Sequence, residues 1–576
     1  MEDQSRSALE EGHSFERGDP QDTFCLKQRN SDQTLLEPKP NAGLGPGPRP
    51  RPGPGVAAAQ NHHTRKCEGS QLEDFMSHLE KQAPEFSARR TVWPWQRRSL
   101  WAACAALTLA CLINPATTMA IIFAALAIPF LCVAGLRMIA IWYLVGKNPA
   151  KEISARALAQ VSEEHIPQYQ QTAKTQLTKE ELPAYAILVP LFKEAHVVPG
   201  LLEALRHIDY PKDRLQISFI TESLDKETTA ALRAAGLDDH MRVVIVPKGR
   251  PRTKPRALNY ALKSARGDIV VVFDAEDVPE PGQLRTAVKL LHQSGERTGC
   301  IQARLNVYNP DENWFTRQFT IEYTGLFDAI LPALERLAVP VPLGGTSNHF
   351  PRQVLERVGA WDPFNVTEDA DLGIRLSRYG YNVAVLPSTT WEEAPEKFNV
   401  WFGQRTRWMK GWMQTYLVHM REPARTRKEL GLRGFLGFQA LMVGLILAPL
   451  VHPIFYIALI LEHFSGDSLL ANTASQPTAA FSWFFWIGFI NLVIGYISAI
   501  ILGAISVARR GWRTLIFHTL AMPLYWLLIS FAAYRALIEL VSAPHYWEKT
   551  DHAIIRDWTI PITDEAREKT NVHVDL

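Results

Sequence analysis

The sequence predicts an α/β domain with a mostly parallel sheet, inserted between two blocks of transmembrane α-helices. Three observations predict it. Apolar residues make up 47% of the chain, yet they are concentrated in two runs, Leu100–Val145 and Phe435–Val541. The polar stretch between those runs alternates short β-rich segments with helical patterns, as strand–helix repeats do. Acidic residues recur where the β-rich segments end, which is where open α/β sheets bind their ligands.

The first 95 residues predict no fold. They contain no apolar run long enough for a signal peptide, and they become rich in proline and glycine at Gly43–Gly55, GLGPGPRPRPGPG. Such a segment buries too little surface to offset chain entropy, so residues 1–95 are expected to be a disordered cytoplasmic tail, a tether or the carrier of a partner motif. At 576 residues the chain exceeds a single core. Lys and Arg total 61 against 59 for Asp and Glu, so no charge bias points to nucleic acid. The 6 cysteines form no C-x-x-C pair and imply neither zinc nor disulfides.

The first apolar run, Leu100–Val145, is interrupted at Asn114-Pro115. As helix it would measure ~69 Å, about two bilayer cores, so residues 96–147 read as a transmembrane hairpin. Arg97, Arg98, Lys147 and Lys151 flank it and place both ends in the cytoplasm. The second block, 431–545, divides into Phe435–Leu461, Phe481–Val507 and Leu515–Val541. The loop Glu462–Ala480 has no Lys or Arg and should face out, whereas Arg509, Arg510 and Arg513 should face in. Pro449, Pro453 and Pro523 leave open whether the first and last pieces are spans or surface helices joined to spans. Residues 546–576 form a C-terminal tail. The expectation is a multi-pass protein of the inner membrane whose domain, 182–420, is cytoplasmic.

Within that domain, Ala186–Val189 reads as a buried strand followed by a helix over Val197–His207. Gln216–Thr221, Val243–Val246 and Ile269–Phe273 repeat the strand pattern. Glu194 follows the first strand, Glu222 and Asp225 the second, and Asp274-Ala-Glu276-Asp277 the fourth. Carboxylates leaving rigid strands suit a hard, oxygen-seeking Mg²⁺ or Mn²⁺, and Asp274 with Glu276 could hold one ion against a diphosphate. The competing reading is that acids simply favour turns. The basic loop Lys248–Arg256 precedes a helix over Ala257–Lys263, and with Lys254 it offers a phosphate-binding segment.

Two more constellations stand out. Thr367-Glu368-Asp369-Ala-Asp371 opens a helix over Ala370–Tyr379, where threonine capping and first-turn acids account for the composition. The preceding Gly344-Gly-Thr-Ser-Asn348 reads as an exposed small-residue loop that could admit a sugar hydroxyl to a general base. Gln404, Arg407 and Trp408 are spaced i, i+3 and i+4, so they share one helix face carrying an amide, a guanidinium and an indole. Arg can neutralise a departing diphosphate and Trp can stack on a sugar, although both residues also anchor helices at membrane interfaces.

Taken in order, Asp225, Asp274-Ala-Glu276, Thr367-Glu-Asp369 and Gln404-Arg-Thr-Arg407-Trp408 resemble the motifs of the processive family-2 glycosyltransferases, the cellulose, chitin and hyaluronan synthases, and their bacterial membrane relatives. The likeness runs from about Leu182 to Trp412 and continues in the flanking helices. It implies a GT-A fold, a UDP-sugar donor, expected to be UDP-glucose, and inversion at the anomeric carbon. It implies Glu194, Glu222 and Asp225 near the nucleoside and Lys254 on the phosphates. Asp274 and Glu276 would lie at the metal and diphosphate. Asp369, with Glu368 beside it, would be the base that deprotonates the acceptor. Arg407 would hold the diphosphate, and Trp408, Gln404 and Asn348 the acceptor, above an interface helix Trp314–Leu337. The sequence departs from the pattern in reading D-x-E rather than D-x-D, and in spreading the acids after the second strand as T-E-S-L-D.

The function so implied is elongation and export of a β-linked exopolysaccharide, with the bilayer, a growing glycan or glycolipid and export partners as its contacts. A single-transfer glycolipid glycosyltransferase is the alternative enzyme. A catalytically idle scaffold in surface-glycan assembly is the alternative of a different class.

Overall fold

The computed structural model describes residues 78–146, 181–465 and 479–547. The expected tail over residues 1–77, most of the loop Glu462–Ala480 and the tail from residue 548 lie outside the described residues.

The chain enters through helices α1 (Pro94–Ile113) and α2 (Pro115–Gly146), separated by the non-helical Asn114. The domain follows as β1 (Tyr185–Leu191), α3 (Val198–Arg206), β2 (Leu215–Glu222), α4 (Lys226–Ala234), β3 (Met241–Val246), α5 (Lys254–Leu262), β4 (Ile269–Val272), β5 (Val278–Pro279), α6 (Gln283–Ser294) and β6 (Thr298–Val307). It continues with α7 (Trp314–Gly325), α8 (Leu331–Arg336), β7 (Asn348–Pro351), α9 (Glu368–Arg378), β8 (Asn382–Glu392) and α10 (Phe398–His419). The chain then returns to long apolar helices, α11 (Pro423–Ser465), α12 (Ala479–Arg509) and α13 (Met522–Ser542).

The eight strands form one sheet in the order β3-β2-β1-β4-β7-β6-β8-β5. The β3-β2-β1-β4 side and the β6–β8 pair are parallel, while β7 pairs antiparallel with both β4 and β6, and β5 with β8. The sheet is therefore mixed and mostly parallel. Alternate residues of β1 and β4 feed two different cores, Ala186, Leu188, Val270 and Val272 on one face and Ile187, Val189, Ile269 and Val271 on the other. Burial on both faces explains why these strands read as continuous apolar runs. From β1 the chain runs outward to β2 and β3, then crosses back to place β4 on the other side of β1. The carboxyl ends of β1, β2 and β4 thus open onto a crevice at a topological switch point, and Glu194, Glu222 and Asp274 stand there.

Several elements differ from expectation. Residues 78–93, expected to belong to the tail, pack on the domain. Phe86 is 1% exposed, the Asp362 carboxylate accepts from the Ser87 hydroxyl and the Ala88 N–H, and Arg421 donates to the carbonyls of Pro84, Glu85 and Ser87. The interface helix is not a single α-helix: Leu326–Ile330 is a π turn between α7 and α8. Gly344–Asn348 is not an exposed loop, because Thr346, Ser347 and Asn348 are buried and Asn348 begins β7. Thr367 stands at the N-cap of α9 but makes no capping hydrogen bond, so capping does not account for that motif.

Among the described residues, four helical segments are long and apolar enough to cross a membrane: Ala124–Gly146, Pro423–Ile454, Phe489–Arg509 and Arg513–Ser542. The helix α1, expected as the first half of a hairpin, is not among them; its first turns carry Gln96, Arg97 and Arg98. In α11 the backbone breaks at Gly431, which takes a positive φ of 67°. The last apolar piece begins as a 3₁₀ segment, Arg513–Ala521, and becomes α-helical only at Met522.

Candidate active site

The crevice at the switch point is a cavity of about 310 Å³ walled by the β1, β2 and β4 ends, the Arg252–Lys254 turn, the Gly344–Thr346 segment, the head of α9 and one face of α10. It gathers Glu194, Glu222, Lys254, Asp274, Glu276, Glu368, Asp369, Gln404, Arg407 and Trp408 from across the sequence.

Two predicted residues stand elsewhere. Asp225 caps α4, accepting from the Thr228 N–H at 3.1 Å, and also accepts from the Lys193 N–H. Asn348 donates from Nδ2 to the Gly344 carbonyl at 2.7 Å, steadying the small-residue segment from within the sheet. Neither lines the cavity.

Lys254 is the cation at the centre. Its ammonium donates to Asp274 Oδ2 at 2.7 Å and to the Gly345 carbonyl at 2.9 Å. Burial opposes its charge, but Asp274, Glu368 and Asp369 hold it protonated well beyond the ordinary lysine range. Asp277 organises the turn from beneath: its Oδ2 accepts from the Asp274 N–H at 2.6 Å and from the Thr346 hydroxyl. Burial, then the neighbouring Asp274 charge, push its carboxyl up to about 8. Glu276 is raised by burial and by Asp274, Asp277, Glu194 and Glu392. At the β2 end of the cavity, Glu222 is paired with Arg256 at 3.1 Å, with both side chains nearly inaccessible. Burial raises the Glu222 carboxyl against that pairing.

At the head of α9, Asp369 Oδ1 accepts from the Ala370 N–H at 2.8 Å, which orients the carboxylate. Burial raises its proton affinity, while that hydrogen bond, Lys254 and Arg407 lower it. Glu368 is pushed up to about 8 by burial and the adjacent Asp369.

The α10 face supplies the rest. Arg407 donates to the Val366 carbonyl at 3.4 Å and its guanidinium lies 4.6 Å from the Trp547 ring centre, leaving Nε buried without a partner. Gln404 Oε1 is likewise buried and unpartnered. Unsatisfied groups in a cavity wall mark where ligand polar atoms belong. Trp408 packs on Tyr323, 6.0 Å between ring centres at 24°, and under the Arg405 guanidinium at 4.4 Å. Gly411 lets α10 approach the Thr367 turn so closely that an added methyl would collide with the Thr367 side chain.

The structure adds Glu392 and Trp547 to the cavity wall. Glu392 closes β8, so the strand-end rule applied to the other acids points to it as well; burial and Asp277 raise its carboxyl, which bonds to Tyr323. Trp547 follows the last apolar helix, and nothing in the sequence near it points to the cavity.

Asp274 and Glu276 fit a divalent cation that completes its shell with diphosphate and water oxygens, as Mg²⁺ commonly does. Among the described residues, no three His, Cys, Asp or Glu side chains converge as a protein-only metal site.

Residues 183–411 match the family described as glycosyltransferase like family 2. Among curated proteins, the chain is similar to a probable glycosyltransferase of Bacillus subtilis, 30% identical over 252 residues, 43% of this chain and 58% of that protein. It is also similar to a beta-monoglucosyldiacylglycerol synthase of Synechocystis, 29% identical over 296 residues, 48% of this chain and 61% of that protein. The cellulose synthase 1 catalytic subunit of Komagataeibacter xylinus is 26% identical over 247 residues, 42% of this chain and 32% of that protein. The chain thus spans less than two thirds of the length of these relatives. Among solved structures, a mannosyltransferase from Pyrobaculum calidifontis in complex with GDP-Man and Mn²⁺ aligns with a TM-score of 0.40 at 19% identity, over 71% of this chain and 99% of that one. Residues 183–411 are thus similar to glycosyltransferase like family 2 and form a mixed, mostly parallel sheet with a GT-A-like glycosyltransferase fold.

Proposed function

We propose that the cavity binds a nucleoside-diphosphate sugar, with UDP-glucose the first donor to test, and transfers the sugar with inversion to an acceptor hydroxyl at the cytoplasmic membrane face. The observation that carries this is the convergence of Lys254, Asp274, Asp369, Arg407 and Trp408, from four separate segments, on one cavity. Asp369 takes the proton of the acceptor hydroxyl as its oxygen bonds to the anomeric carbon. The bond from that carbon to the diphosphate breaks, and the electron pair leaves with the diphosphate, where Lys254 and Arg407 offset the charge. A divalent cation at Asp274 and Glu276 would screen the same oxygens. Glu222 and Arg256 shape the nucleoside end, and Trp408 and Gln404 meet the acceptor.

Two acceptors have support. A growing β-glycan is favoured by the Gln404–Trp408 face and by the similarity to the cellulose synthase subunit. A lipid is favoured by the similarity to beta-monoglucosyldiacylglycerol synthases. The test is nucleotide release by purified protein in lipid with Mg²⁺ or Mn²⁺, across UDP-glucose, UDP-GlcNAc, UDP-glucuronate and GDP-mannose. Release from one donor, with the sugar recovered on a product, is expected. No turnover of any nucleotide sugar would overturn the proposal.

A further inference from the structure

Beside the catalytic cavity lies a second cavity of about 280 Å³, enclosed by α7, the π turn, α8, α10 and residues of all four candidate membrane spans. The two cavities share Leu326, Phe327, Leu343, Gly344, Trp408 and Trp412 as walls. A molecule passing the Trp408 indole from the catalytic side therefore meets the space between the membrane helices.

That space has a mostly apolar surface, in which aliphatic side chains stand beside the aromatic rings of Phe130, Phe327, Trp412, Tyr496 and Trp526. Val133 and Leu136 come from the first span, Leu441 and Leu445 from the second, Leu502 from the third and Ile529 from the fourth. Most of its polar side chains are engaged by protein. Arg405 pairs with Glu322 at 2.6 Å and donates to the Tyr525 hydroxyl at 2.9 Å. Arg137 donates to the Gly495 carbonyl at 3.0 Å and lies 4.7 Å from the Trp526 ring centre. Asn491 Nδ2 donates to the Ala127 carbonyl at 3.1 Å, and the Tyr496 hydroxyl is bonded to that of Tyr456. Asn491 Oδ1 and Arg405 Nε are left unpartnered, few polar atoms where every sugar unit would bring several hydroxyls. A hydroxyl buried without a partner is destabilising, whereas a hydrocarbon chain leaves no polar group unpaired.

We propose that this second cavity holds a hydrocarbon chain of the acceptor, so that the sugar is transferred to a lipid hydroxyl and not to a polysaccharide threaded between the helices. The proposal rests on the transfer reaction above and names its acceptor class. The chain enters from the bilayer, the headgroup hydroxyl reaches Asp369 past Trp408, and bonds and proton move as already described.

The experiment uses the full-length protein in nanodiscs with its active donor and three acceptors: dioleoylglycerol, dioctanoylglycerol and a soluble oligosaccharide. Leu445→Trp narrows the cavity at a distance from Asp369. It is expected to lower kcat/KM at least about tenfold for dioleoylglycerol but less than about threefold for dioctanoylglycerol, with donor hydrolysis unchanged. Equal loss with both lipids, or equal use of both by the variant and the parent, would overturn the proposal. So would a wild-type product that is a polymer built on the oligosaccharide, an outcome that leaves the transfer reaction standing. A dioleoylglycerol analogue bearing a diazirine in its chain reports occupancy without turnover. Cross-links at Leu441, Leu445 or Leu502, competed by unlabelled lipid, are expected; labelling confined to the outer helix surfaces would refute the cavity's role. If no nucleotide sugar turns over, the transfer reaction fails by itself, and the cross-link still decides whether the cavity takes a lipid chain.

Discussion

At the head of α9 two adjacent carboxylates, Glu368 and Asp369, meet different environments, and the proposed base is Asp369. Glu368 is pushed up to about 8 by burial and the adjacent Asp369, whereas at Asp369 burial raises the carboxyl and the Ala370 N–H, Lys254 and Arg407 oppose that rise. Asp369→Asn is expected to lower turnover by roughly 10²-fold or more while nucleotide affinity changes little, and Glu368→Gln to retain turnover within about tenfold. Comparable losses from both would move the base assignment. The pH profile has a definite sign. A base must be unprotonated, so activity falls as pH drops through its pKa. Arg407 lowers the Asp369 pKa, and Arg407→Gln should therefore shift the acid limb of kcat to higher pH; an unmoved limb in a variant that still binds nucleotide counts against Asp369 as the titrating group. At the other end of the cavity, Asp274→Asn should weaken Mn²⁺-dependent nucleotide binding by about tenfold or more. Identical nucleotide titrations with and without Mn²⁺, in parent and variant alike, would remove the metal role.

Among the elements, α10 is the one that assembles the site. Its i, i+3, i+4 face of Gln404, Arg407 and Trp408 reaches the cavity only because Gly411, further along the helix, permits contact with the Thr367 turn. Gly411→Ala is predicted to destabilise the fold by roughly 1–3 kcal/mol through overpacking. A lower unfolding temperature in detergent, together with reduced turnover, is the expected signature, and unchanged stability would show that the helix is free to shift. The helix face was legible in the sequence because spacing along a helix sets it. Its partner surface was not, because Thr367 and Gly411 are brought together by the tertiary fold. The strand-end acids show the same division. Their positions follow from strand periodicity, but Asp225 is drawn into capping α4 while Glu392, at the end of a later strand, turns into the cavity.

Across the whole molecule, ion pairs couple the domain to the apolar helices. Arg405 of α10 binds Glu322 of α7 and Tyr525 of α13, and Lys410 donates to Glu539 at 2.9 Å and to the Tyr546 carbonyl at 3.0 Å. Arg510 pairs with Asp328 in the π turn at 2.6 Å. Removing one member of such a pair strands the other charge, so Arg405→Met should cost roughly 3 kcal/mol of stability. Thermal unfolding in a lipid environment measures it, and a change below about 0.5 kcal/mol would mean that the pair is solvated through the neighbouring cavity. The segment of residues 78–93 adds a second tie, through Asp362 and Arg421, where the sequence pointed to an unattached tail.

The sequence by itself determined which segments are apolar, where strands and helices alternate and which acids end the strands, because these depend on composition and on periods of two and 3.6 residues. Only the tertiary structure decided which of those acids share a cavity, that Lys254 lies against Asp274, that Trp547 reaches the cavity, and that a mostly apolar space adjoins the site between the candidate membrane-spanning helices. Those facts depend on side chains distant along the chain meeting in three dimensions, and local periodicity carries no record of such meetings.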